Sequence, residues 1–213
     1  VDHVRDKVIE KADGGTDQIR STISYTLPDH VEMLVLTGKA NLNGYGNSSN
    51  NTLRGNAGNN ILDGKGGINV MIGNQGNDIY YSDHVRDKEI ERSGGGIDEI
   101  RSSVNKALRP HVENLVLTGT ANITGQGNSL DNRLTGNSGN NVLNGKGGID
   151  VMTGNEGNDI YYVNHVSDKV IEQAGGGRDQ IRSSLRHALP DHVEMLVLTG
   201  KANLNGYGNS SNN

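Results

Sequence analysis

Between residues 46 and 81 the chain repeats in nines. Glycine stands at 46, 55, 64 and 73, and the eighth place of each frame is Leu53, Leu62, Met71 or Tyr80. The frame returns at 127–162 with Leu134, Leu143, Met152 and Tyr161. Six residues rich in Gly and Asn, then about three of β type, read as turn, short strand, turn, short strand. Gly and Asn accept positive φ at little steric cost, and tight turns need that. A helix does not fit, because no window of about 11 residues keeps a 3.6-residue apolar face free of glycine.

A longer period contains the short one. "DHVRDK" at 2–7 returns at 83–88 and as "NHVSDK" at 164–169, so the same frame opens at 2, 83 and 164. "HVEMLVLTG" at 30–38 returns as "HVENLVLTG" at 111–119 and again at 192–200. The repeats therefore run 1–81, 82–162 and 163–213, the third incomplete, and we read 1–213 as one continuous solenoid. The chain begins at Val1 rather than Met, and the third copy stops at the equivalent of Asn51, so we expect a piece of a longer array. Outside the nonapeptide runs, "KVIE", "DQIRSTISYTL" and "VEMLVLTG" are also strand-like. Counting the nine-residue period across the whole repeat gives nine strand segments, or four and a half coils of two strands each. Stacked repeats of this kind bury a thin core between neighbours.

Composition agrees. Among 213 residues there is no Phe, Trp or Cys, 32% are hydrophobic, and 31 Gly with 28 Asn make up over a quarter of the chain. Large side chains cannot fill a thick core here. Three prolines and regularly spaced Val, Ile and Leu argue equally against disorder. A net charge of −5 with interspersed signs gives no footprint for nucleic acid. No apolar run is long enough to span a membrane as a helix.

"GNNILDGKGGINVMIGNQGNDIYY" and "GNNVLNGKGGIDVMTGNEGNDIYY" resemble the RTX, or haemolysin-type calcium-binding, nonapeptide repeat, G-G-x-G-x-D-x-U-x with U apolar. The linking segments "GGGIDEIRSS" (94–103), "VENLVLTG" (112–119) and "GQGNSLDN" (125–132) resemble the long-unit variety of large secreted bacterial surface proteins. The resemblance implies an all-β parallel β-roll, or β-solenoid, with calcium between turns two nonapeptides apart. Its ligands would be the sixth-position carboxylate and backbone carbonyls of the turn. Calcium takes six or more oxygens and gains affinity from ligand charge.

The sixth positions depart from that pattern. They are Asn51, Asn60, Asn69 and Asp78 in the first run, and Asn132, Asn141, Asp150 and Asp159 in the second. Formal charge is zero over 46–81 (Asp63 and Asp78 against Arg54 and Lys65) and −2 over 127–162. Stacking every second frame pairs Asn51 with Asn69, Asn60 with Asp78, Asn132 with Asp150 and Asn141 with Asp159. We expect weak calcium sites at Asp78 with Asn60, Asp159 with Asn141 and Asp150 with Asn132, and none at Asn51 and Asn69. The other reading is a metal-free ladder of stacked Asn side chains.

Further carboxylates recur outside the nonapeptides: Asp2, Asp6, Glu10 and Asp17, then Asp83, Asp87, Glu91 and Asp98. They could form a second calcium site at the coil junction. Surface pairing with Arg5, Lys7, Arg86 and Lys88 is the simpler expectation. His3, His84 and His165, and His30, His111 and His192, recur as duplicated surface positions rather than zinc ligands. "DGKGG" at 63–67 lacks the Ser or Thr and the glycine spacing of a P-loop, and "HVE" has no cysteines to complete a deaminase signature. We expect no enzyme activity.

Two functions fit: a structural segment of a secreted adhesin, S-layer-like protein or extracellular fibre, or a calcium-triggered folding and export module of a type I-secreted toxin or hydrolase. Both are extracellular or cell-surface and bacterial. Seventh-position Ile61, Val70, Ile79, Val142, Val151 and Ile160 should point outward. Self-association, lateral or end to end into filaments, is the one partner the sequence suggests.

Overall fold

The structure is a computed structural model that describes residues 1–12 and 14–210, so the end of the third repeat at 211–213 lies outside it. Among the described residues are 22 strands and no helix, and hence no helix that could cross a membrane. The strands are parallel and alternate between sheets as the chain advances, two to a turn, in a β-solenoid of about eleven turns.

Two compact units divide the chain, residues 1–101 with 109–112, and 102–108 with 113–213. In the first, Gln18–Ser21, Met33–Leu36, Thr52–Arg54, Val70–Ile72 and Lys88–Ile90 make one sheet. Tyr25–Thr26, Asn43–Tyr45, Ile61–Asp63 and Ile79–Ser82 lie in another. In the second unit, Lys106–Ala107, Thr124–Gln126, Val142–Asn144, Ile160–Val163, Gln180–Ser183 and Met195–Leu198 pair in that order. Asn114–Leu117, Arg133–Thr135, Val151–Thr153 and Lys169–Ile171 lie in a second sheet, and His187–Ala188 pairs with Gly206–Tyr207 in a third.

Nine strands, from Gln18–Ser21 to Lys88–Ile90, precede the restart at Glu99–Ser102, as the nine-residue period implies. Nine is odd, so equivalent strands change sheets at each repeat. Val142–Asn144 of the second repeat shares a sheet with Gln180–Ser183 of the third, whereas their first-repeat equivalents, Ile61–Asp63 and Gln18–Ser21, lie in different sheets.

Register within the nonapeptides is constant at two frames, as in Thr52 against Val70 and Ile61 against Ile79. The linking half abandons it. Gln18 pairs with Met33 over a shorter step, while Tyr25 pairs with Gly44 and Ile160 with Gln180 over longer ones. Those steps accommodate turns of unequal length between strands of conserved pitch.

Alternation along each strand sends the eighth position inward. Leu53, Leu62, Met71, Tyr80, Leu134, Leu143, Met152 and Tyr161 have no accessible surface, while seventh-position Ile61 and Val142 are half-buried on the outer face. Parallel register stacks the inward residues in rows, Ile19–Leu34–Leu53–Met71 in one sheet and Leu62–Tyr80 in another. The interior is so thin that a side chain at Gly44 would crowd it: a Cβ there would sit 3.1 Å from both Leu34 and Leu62, and those leucines would have to shift. Rows this narrow should be intolerant of cavities. Leu143→Ala should lower stability by about 2–5 kcal/mol, and outward Val142→Ala by much less. Urea denaturation of both variants checks this, and equal losses would contradict the inward–outward assignment.

Candidate metal centre

Two places before each inward apolar residue, the sixth-position side chain points into the same interior. Asn51, Asn60, Asn69, Asp78, Asn132, Asn141, Asp150 and Asp159 are all 0–2% exposed. Stacking of every second frame brings together the pairs expected from the sequence. Oδ1 of each accepts the backbone N–H of its predecessor: Asn69 from Asn51 at 2.8 Å, Asp78 from Asn60 at 2.6 Å, Asp150 from Asn132 at 2.9 Å, and Asp159 from Asn141 at 2.6 Å. This ladder joins side chain to backbone rather than amide to amide, and Asp enters it as readily as Asn. Sequence reasoning misses a parallel ladder on the surface. There the fifth-position Asn59 accepts from Asn77 N–H and Asn140 from Asn158 N–H, at 2.9 and 2.7 Å.

The second side-chain atom separates the two residue types. Asn60 Nδ2 donates to Leu42 O and Asn56 Oδ1, both at 2.9 Å. Asn141 Nδ2 donates to Ile123 O and Asn137 Oδ1, and Asn132 Nδ2 to Glu113 O. An Asp presents an oxygen where Asn has that NH2 group and cannot donate. Oδ2 of Asp78, Asp150 and Asp159 is buried without a hydrogen-bond partner. A buried, unpaired anionic oxygen is costly, so the carboxyl must take up a proton or a cation. Burial pushes Asp78 and Asp159 up to about 7 and Asp150 to about 6, while the N–H bond each accepts pulls the other way.

Asp78 and Asp159 do not stand alone. One oxygen each from Asp78, Glu91 and Asp98 lies within 4.8 Å of the others, and Asp159, Glu172 and Asp179 repeat the cluster. All six residues are buried. Tyr80 Oη donates to Glu91 Oε1, and Tyr161 Oη to Glu172 Oε1. Burial and that hydrogen bond raise both phenols. Burial also pushes Glu172 up to about 7, and the charges of Asp179 and Asp159 add to the rise. Asp98 and Asp179 continue the ladder, accepting from Asp78 and Asp159 N–H at 2.8 Å. Above Asp150 the next carboxylate in the ladder is Asp168, and both of its oxygens already accept backbone N–H groups.

The structure corrects the expectation of surface pairing. Asp87, Glu91 and Asp98 are buried. Asp87 caps a turn, accepting from Asn69 N–H through Oδ1 and from His84 N–H through Oδ2. Surface ion pairs form elsewhere, Lys65 with Asp63 at 3.9 Å and Arg101 with Glu99 at 2.6 Å. The six recurring histidines serve turns. Nδ1 of His3, His84 and His165 accepts the N–H two residues on, and His30, His111 and His192 sit at φ of 66–68°.

Compared with known families, residues 45–80 and 126–164 match the RTX calcium-binding nonapeptide repeat, in four copies. No curated protein and no solved structure matches the chain. The chain thus carries calcium-binding nonapeptide repeats, and their sixth positions are the ones stacked in the interior.

Without metal, the raised carboxyls set a pH dependence. Their folded values lie above the unfolded ones, so the folded chain holds protons that the unfolded chain releases. The stability they contribute is complete below about pH 4 and is lost as pH rises through about 7. In chelator the melting temperature should therefore be higher at about pH 5 than at about pH 8. The doubly substituted Asp78→Asn/Asp159→Asn chain, with a donor restored at each site, should flatten that slope. Thermal melts followed by circular dichroism check both, and a wild-type melt that rises with pH would contradict the burial of unpartnered carboxyls.

Proposed function

We propose that this chain is a structural segment of a large secreted bacterial surface protein or extracellular fibre, a β-roll rod whose turns calcium holds together. The observation that carries the reading is the buried, unpartnered Oδ2 on Asp78, Asp150 and Asp159, inside repeats of a calcium-binding family. A divalent cation neutralises those oxygens, and Asn60, Asn132 and Asn141 belong to the turns stacked against them. Rod function draws support from repetition of one long unit in related copies, since a rod gains from length rather than from distinct sites. RTX repeats occur in secreted bacterial proteins, which is consistent with an extracellular setting. Millimolar calcium also belongs to that setting, and modules outside the cell bind it in the range of about 10⁻⁴–10⁻³ M.

Calorimetric titration with calcium tests the proposal. The second run should bind more tightly than the first, because Asp150 and Asp159 supply two carboxylates against Asp78 alone. Asp159→Asn should weaken binding to its run about tenfold, through lost ligand charge. Asp63→Asn should change little, because Asp63 Oδ1 accepts Lys65 N–H and Oδ2 lies near Lys65 Nζ. Pulling single chains should show a higher unfolding force in calcium than in chelator. A chain with unchanged unfolding force and no heat on adding calcium would contradict the proposal.

A further inference from the structure

We infer that each of the two complete repeats closes its nonapeptide run with a calcium site that the run alone does not contain. Asp78 comes from the last frame and Glu91 and Asp98 from the coil that follows. Asp159, Glu172 and Asp179 form the second example. Four of these residues, Glu91, Asp98, Glu172 and Asp179, lie outside the segments that match the calcium-binding repeat. The inference rests on the calcium reading above and adds to it a place and a ligand set.

Three negative side chains packed in an interior need a partner, and the geometry shows where it goes. A Cβ placed on Gly73 would strike Asp78 Oδ2, Glu91 Oε1 and Tyr80 Oη together. Those three oxygens therefore converge on one point beside a backbone that carries no side chain. Gly154 stands in the same relation to Asp159 Oδ2, Glu172 Oε1 and Tyr161 Oη. Asp78 is 1% exposed and its converging Oδ2 has no hydrogen-bond partner. Asp159 and Asp179, each 1% exposed, have the same unpartnered Oδ2. The charges acting on Asp78 are those of Glu91 and Asp98, both negative, so the cluster accumulates charge rather than cancelling it.

The donor set selects the ion. Every atom offered is oxygen, which favours a hard cation over zinc. Magnesium sheds its water reluctantly and suits open sites, whereas this one is enclosed, so calcium fits better. Bound there, the ion draws the end of the nonapeptide run onto the linking coil and fastens the two halves of the repeat. Asn51 and Asn69, whose amides already have backbone partners, would bind nothing.

The test uses the whole chain with calcium chloride in calorimetry and terbium chloride in luminescence. The chain has no Trp, so terbium emission excited through protein comes from tyrosine, and Tyr80 and Tyr161 touch the cluster. Glu91→Gln/Glu172→Gln keeps the acceptor for each phenol while removing a charge. It should abolish two calcium sites, or weaken them at least tenfold, and suppress terbium emission. Asp98→Asn/Asp179→Asn should do the same by a second route. Tyr80→Phe/Tyr161→Phe should lose emission while two sites remain. Exposed Asp83→Asn should match wild type. If the Gln and Asn pairs fold in chelator and bind calcium as tightly as wild type while Asp78→Asn/Asp159→Asn does not, the seam site is wrong and the wider calcium reading stands. If wild type binds no calcium, both fall.

Discussion

An interior only two sheets thick forces a choice on every polar side chain that enters it. At the sixth position of each nonapeptide that side chain must enter, because it lies on the same strand face as the inward apolar residue two places later. Its Oδ1 accepts a backbone N–H, from its own turn at Asn51, Asn60, Asn132 and Asn141 and from the coil before at Asn69, Asp78, Asp150 and Asp159. Its second atom decides the chemistry. The amide of Asn60 or Asn141 turns a donor to a backbone carbonyl and completes the turn unaided. The carboxylate of Asp78 or Asp159 faces the same surroundings with an acceptor. Desolvation of an unpaired charge is worth several kcal/mol, more than a typical net hydrogen bond returns. One atom, nitrogen or oxygen, therefore separates a turn that is complete without metal from one that requires a proton or a cation.

The distribution of the two residue types then acquires a meaning. Frames in the middle of the first run carry Asn, and the frame that meets the linking coil carries Asp in both repeats. Carboxylates gather where the even two-frame register lengthens, at Asp78 against Asp98 and Asp159 against Asp179. A change of register is where a stack of identical turns is least able to brace itself by repetition. Metal-free turns and ion-seeking turns thus stack on one another within each unit, joined by the Oδ1 contacts from Asn60 to Asp78 to Asp98 and from Asn141 to Asp159 to Asp179.

Most of the architecture was legible. Gly55, Gly64 and Gly73 with Leu62, Met71 and Tyr80 announce a coil, and the pairing of Asn60 with Asp78 and Asn141 with Asp159 followed from arithmetic. The linking half was less so, because coils whose steps differ from one to the next have no constant period to detect. A calcium site at the coil junction was the second choice behind surface pairing, for a related reason. Glu91 and Asp98 were visible as recurring acids among Arg86 and Lys88, and charge alternation of that kind ordinarily marks a surface. Their burial depends on where a coil of irregular length returns. The one hint was that "IE" and "GGG-x-D" keep their spacing at 90–98 and again at 171–179, with Tyr80 and Tyr161 the same distance upstream.

Diffraction from crystals grown in calcium, collected at a wavelength where calcium scatters anomalously, would test the central claim most directly. The account predicts anomalous peaks among Asp78, Glu91 and Asp98 and among Asp159, Glu172 and Asp179, and no peak between Asn51 and Asn69. Well-ordered carboxylate clusters without a peak, or a peak at the Asn51–Asn69 turn, would contradict it.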